Sequence, residues 1–148
     1  MKNFFLALTE KLAEVTALNW IDEDMGQLDF YETRPAVAFP CALIDIELPD
    51  CTDLNTTEQN VTARIVLRLA FEPTGQSNTA APDATRQRSL TRWETVDAVF
   101  NLLQGWSDVT FTELSRKSQV TEKREDKYKV IQQVWETIFI EAVTVAGD

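Results

Sequence analysis

The sequence predicts an α+β fold, a two-layer sandwich in which a mixed, mostly antiparallel sheet carries two helices packed on one face. Three observations predict it. Residues 128–143, YKVIQQVWETIFIEAV, alternate at the strand period, with Val130, Val134, Ile138 and Ile140 on one side and Ile131, Trp135 and Phe139 on the other. Residues 61–71 repeat the pattern more cleanly. Two further segments carry apolar residues at steps of three and four, the helical signature, and they separate groups of strands rather than alternating with single strands.

A chain of 148 residues is one domain, 1–148, long enough to bury a core without staples. Its net charge of −10 makes the long-range field repel phosphate backbones, so sequence-specific nucleic-acid binding is not expected. Histidine is absent, which removes the commonest general base and the usual zinc ligand. The apolar start Phe4-Phe5-Leu6-Ala7-Leu8 is broken by Glu10, Lys11 and Glu14, too soon for a signal peptide, and no run is long enough to span a bilayer. The expected location is cytoplasmic, with no membrane partner.

Taken in order, residues 3–18 form an amphipathic helix on Phe4, Phe5, Leu8, Leu12 and Val15. Residues 20–31 read as a short strand at Trp20 and Ile21, an acidic turn Asp22-Glu23-Asp24 with Gly26, and extended chain through Leu28, Phe30 and Tyr31. Residues 36–48 form a strand in which Pro40 marks an edge or bulge, with Ala42, Ile44, Ile46 and Leu48 opposite Asp45 and Glu47, closed by a loop from Pro49 to Asn55. In the strand at 61–71, Val61, Ala63, Ile65, Leu67, Leu69 and Phe71 oppose Thr62, Arg64 and Arg68. Residues 72–85 form a long loop. A second helix runs from 84 or 86 to 104 on a stripe of Leu90, Trp93, Val96, Phe100 and Leu103, widened by Val99 and Leu102, with Gly105 as its stop. Residues 109–122 form a long exposed strand that turns at 123–127 into the inner strand 128–143, bulky on both faces and therefore flanked and covered.

Chemistry-bearing constellations are sparse. The acidic turn at Asp22 lacks the spacing of a calcium loop and reads as solvated. Asp45 and Glu47 share a strand face, the placement of a carboxylate pair for acid/base work, against the simpler reading of an exposed face. Cys41 has no histidine to activate it, and Cys41 and Cys51 read as separate reduced thiols. No catalytic, metal-binding or cofactor-binding residue is expected, and no cofactor. Positive charge gathers around the second helix and the strand after it, at Arg86, Arg88, Arg92, Arg116, Lys117, Lys123 and Arg124. Against an acidic chain this is the asymmetry that a head-to-tail assembly uses.

An amphipathic first helix, then RPAVAFPCALIDIE, VTARIVLRLAF, a loop, LTRWETVDAVFNLLQGW and YKVIQQVWETIFIEAV resembles the tail-terminator or tail-completion proteins of long-tailed phages and prophages, over about residues 4–143. The resemblance lies in element order and local pattern. It implies a non-catalytic, structural subunit that forms a hexameric ring at the head-proximal end of the tail, ends tube polymerisation and meets the head connector. Its partners are then copies of itself, the tail tube protein and the head-tail connector, and its final location is the virion tail. The residues expected at the subunit interface are Arg64, Arg68, Arg86, Arg88, Arg92, Trp106, Arg116 and Lys117. The alternative is a non-catalytic small-molecule-binding domain with a pocket lined by Trp93, Phe100 and Trp135.

Overall fold

A computed structural model describes residues 1–144. It comprises α1 (Lys2–Leu12), β1 (Trp20–Glu23), β2 (Cys41–Asp53), β3 (Glu58–Phe71), α2 (Asp83–Leu103), β4 (Ser115–Thr121) and β5 (Lys129–Ala142). The strands form one sheet in the order β1-β2-β3-β5-β4, with β1 and β2 parallel and every other pair antiparallel. This is the expected mixed α+β sandwich. The inner position expected for residues 128–143 is also observed, since β5 lies between β3 and β4.

Both helices cover one face of the sheet. Ile65 of β3 sits opposite Trp135 of β5, Val61 opposite Phe139 and Leu69 opposite Ile131, so the inward residues of the two strands form continuous rows. Phe4, Leu8 and Leu12 of α1 and Val96, Val99 and Leu103 of α2 close over those rows. Each such buried side chain contributes roughly 1.5–3 kcal/mol. A polar chain crosses this core. The Trp135 indole N–H donates to Gln133 Oε1 at 3.1 Å, and Gln133 Nε2 donates to Gln119 Oε1 at 2.8 Å, which satisfies a fully buried glutamine.

Several boundaries differ from the sequence expectation. Helix α1 ends at Leu12, and Val15 and Leu18 reach the same core from successive turns. Residues 36–40 precede β2 rather than belonging to it, and Phe39-Pro40 is a cis peptide. Pro49 does not end the strand. Glu47 faces Arg64 and Asp50 faces Thr62, so Leu48 and Pro49 together oppose Ala63 in a bulge, where proline's missing N–H is tolerated. Residues 28–31 form no strand: Gly26, at φ 85°, turns the chain back so that Phe30 N donates to Gly26 O at 2.9 Å. The long strand expected at 109–122 shrinks to β4, with Phe111 and Thr112 tied separately to β5.

The stripe of α2 is also rotated. Its buried positions are Ser89, Thr95, Val96, Val99 and Leu103, while Trp93 lies toward solvent near Lys129 Nζ, 5.8 Å from its ring. Ser89 occupies a core position because its hydroxyl donates to backbone oxygens of Gln76 and Arg86, which pins the preceding loop against the helix. Among the described residues no helix is long and apolar enough to cross a membrane.

The second sheet face is covered over only half its length. Parallel neighbours such as β1 and β2 require a crossover that travels back along the sheet, and the helices already occupy one face. Residues 24–40 therefore cross the other, placing Leu28, Val37 and Phe39 on Cys41, Leu43, Ala70 and Val130.

Candidate interaction surface

Beside that small apolar cluster lies a lattice of charge. The Arg68 guanidinium meets Glu122 through Nε at 2.7 Å and Nη2 at 2.7 Å, Asp29 through Nη1 at 2.9 Å and Nη2 at 3.1 Å, and Asp24 through Nη1 at 3.3 Å. Each of its five N–H donors has an acceptor. Arg124 is held equally fully: Nε and Nη2 clasp Asp126 at 2.9 and 2.8 Å, Nη1 reaches Glu122 at 3.0 Å and Asp29 at 3.3 Å, and Nη2 also donates to Leu28 O. Tyr31 donates its hydroxyl to Asp126 at 2.7 Å. The lattice thus ties the crossover to β3 and to the β4–β5 turn through bidentate pairs.

These contacts shift the groups that make them. The Arg124 hydrogen bond lowers Asp126 to about 2, and the Arg68 hydrogen bond lowers Asp29 below the usual carboxylate range. The hydrogen bond to Asp126 raises Tyr31, while the carboxylates raise both arginines. Asp29, Asp126 and both arginines are consequently charged throughout the neutral range, and Tyr31 keeps the proton it donates. That fits a fastening device, not a proton-transfer site. Arg68, expected at a subunit interface, is buried here, because the crossover folds over its half of the strand.

The other interface candidates fall into separate groups. Arg64 lies on the uncovered half of the same face, 3.6 Å from Glu47, and Lys117 lies 3.9 Å from Glu136 nearby. Beyond them along β5, Ile138 and Ile140 are exposed. Trp106 packs edge-on against Phe111 at 4.9 Å, and the Arg116 guanidinium lies 4.2 Å from the centre of the Phe100 ring. Arg86, Arg88 and Arg92 all lie on the first half of α2, Arg88 and Arg92 on one side of it and Arg86 on another. Among the described residues none of these three has a carboxylate within ion-pair distance. Arg86 donates to Ser77 O at 3.2 Å and Arg92 to Ser89 O.

Two ends of the molecule differ in chemistry. Where β2 begins and β3 ends, a groove of about 450 Å³ opens beneath α2, bordered by Phe39, Pro40, Phe71, Glu72, Arg88 and Arg92. At the opposite end the β2–β3 hairpin runs past the helices. Residues 49–57 are all exposed, and residues 48–60 include Asp50, Asp53 and Glu58 but no Lys or Arg. The sequence signal for this end was available in the acids themselves. It was hidden by reading Pro49 as the end of the strand.

Other candidates separate in space. Trp135 is fully buried and Trp93 lies toward solvent, so they and Phe100 do not enclose the pocket expected for a small-molecule site. Asp45 and Glu47 are exposed, and they do not converge in one cleft: Asp45 borders a groove of about 470 Å³ with Met1, Lys2, Glu23 and Asp24, which Glu47 does not line. Cys41 is buried, and that burial pushes its thiol up to about 12, whereas Cys51 is exposed ten positions further along the same strand, too far for a bridge. Asp24 of the acidic turn is engaged by Arg68, and among the described residues no group of three or more Asp, Glu or Cys side chains is arranged to hold a metal ion. The sequence matches no protein-family model and no curated protein.

Proposed function

We propose that the protein is a structural, non-catalytic subunit that assembles head to tail into a ring, in the manner of a phage or prophage tail terminator. In this reading six copies cap the tail tube at its head-proximal end, stop its growth and present a surface to the head connector. The observation that carries it is the polarity of the protomer: three arginines of α2 that have no carboxylate partner among the described residues at one end, and an exposed hairpin without a basic side chain at the other. A subunit with two different, complementary ends forms heterologous contacts, and such contacts close into rings when the rotation between copies permits. The fold supports the same reading, since the lattice around Arg68 serves cohesion and the exposed groups lie on rims and a sheet face. The net charge of −10 suits a ring through which DNA passes without adhering.

Native mass spectrometry of the protein, alone and with the tail tube protein of the same gene cluster, tests this directly. The expected outcome is a closed oligomer, favoured on the tube end, and tubes of limited length. Tubes that neither bind the protein nor stop growing in its presence would remove the terminator role.

A further inference from the structure

We infer that the tip of the β2–β3 hairpin of one copy docks into the groove beneath α2 of the next copy, an assignment that rests on the ring reading above. The occupant is identified by complementary chemistry. The tip presents one large apolar side chain, Leu54, 53% exposed, flanked by Asp50, Asp53 and Glu58. The groove presents the inverse: Phe39, Pro40 and Phe71 supply apolar surface, and Arg88 and Arg92 stand on its α2 side. Glu72, the one acid bordering it among the described residues, lies 3.8 Å from Arg34.

Arg92 adds a second indication. Its Nε is buried and, among the described residues, donates to no acceptor. A buried donor left without an acceptor is costly, and a carboxylate arriving beside Leu54 offers one once the Arg92 guanidinium turns towards it. A volume of about 450 Å³ accommodates Leu54 together with one flanking carboxylate.

The tip is also formed in advance. Asn55 Oδ1 accepts from Thr57 N at 2.8 Å and from Glu58 N at 3.0 Å, and Leu54 N donates to Glu58 O at 2.9 Å. Docking therefore orders little new chain, which favours association. Because the groove lies at the start of β2 and the tip at its end, the two surfaces are about 40 Å apart along one strand. A copy cannot satisfy its own groove, and one tip seated in one groove leaves a free tip and a free groove on the pair unless the two copies exchange tips about a two-fold axis, which a closed dimer in native mass spectrometry reveals. The contact propagates, and a fixed rotation per copy closes it.

Two variants test the docking, Arg88→Glu/Arg92→Glu in the groove and Leu54→Asp at the tip, with Arg88→Glu alone, at an exposed position, as the check against unfolding. Each is expected to keep its circular dichroism spectrum and to weaken self-association at least ~30-fold. Mixed in equal amounts, the groove variant and the tip variant should form heterodimers and nothing larger, since one intact tip then meets one intact groove. Folded variants that assemble like the wild type, or a mixture without heterodimers, would overturn the docking and leave the ring reading standing on another surface. Loss of tail-tube binding in Arg88→Glu with unchanged self-association would assign the groove to that partner and also overturn it. A wild type that stays monomeric at about 1 mM would overturn docking and ring together.

Discussion

Arg64 and Arg68 stand four residues apart on the same face of β3, and they share little else. The Arg68 side chain is 10% exposed and engages three carboxylates, whereas that of Arg64 is 43% exposed and, among the described residues, has one ion pair, with Glu47 at 3.6 Å. Strand alternation treats the two alike. The difference comes from residues 24–40, which must cross one sheet face to make β1 parallel to β2 and which end before reaching Arg64. One face of one sheet thus serves two purposes, cohesion where the crossover lies and exposure where it does not. Burial, not charge type, decides whether an arginine in this molecule is structural.

The contrast is sharpest in Arg68→Met against Arg64→Met. Replacing Arg68 leaves Asp24, Asp29 and Glu122 crowded without their main counter-charge, and urea unfolding should show a loss of about 3–5 kcal/mol. A loss near zero would mean that the crossover holds by its apolar contacts alone. Acid comes next. Asp126 and Asp29 have lowered folded values, so their contribution is fully present above the unfolded carboxylate value of about 4 and is lost as pH falls towards about 2. Thermal melts over that window should fall more steeply for the wild type than for Asp126→Asn.

Smaller still is Tyr31→Phe, which removes the hydroxyl donor to Asp126 and should raise the Asp126 value, readable by carboxylate NMR, with a smaller loss in the urea titration than Arg68→Met. Arg64→Met is the smallest, below about 0.5 kcal/mol in the same urea titration, because an exposed pair at that distance contributes little. An Arg64 effect as large as that of Arg68 would erase the distinction between the two halves.

Much of the fold was legible because it depends on period. Alternation over 61–71 and 128–143 identified β3 and β5 and their inward faces, and spacing identified both helices. Where the period was carried by few residues it misled. Leu90 and Trp93 drew the α2 stripe off the true line through Ser89, Val96, Val99 and Leu103, since a serine satisfied by backbone oxygens looks polar in sequence and behaves as core. Pro49 looked terminal because a one-residue bulge leaves no compositional mark. The candidate surface was half legible: Arg88 and Arg92 stand four apart and share a helix side, but the groove beneath them draws on Phe39 and Phe71, far apart in the chain.

By itself the sequence determined the class of fold, the two rows of core residues in its longest strands and the imbalance of charge, because each follows from local spacing or simple composition. Only the tertiary structure decided which half of the second sheet face is covered, which arginine is spent inside the protomer, and that the acidic hairpin and the basic groove lie at opposite ends. Those outcomes depend on the path of a crossover and on pairing between residues as distant as Arg68 and Glu122, and no local pattern encodes where a connecting segment comes to rest.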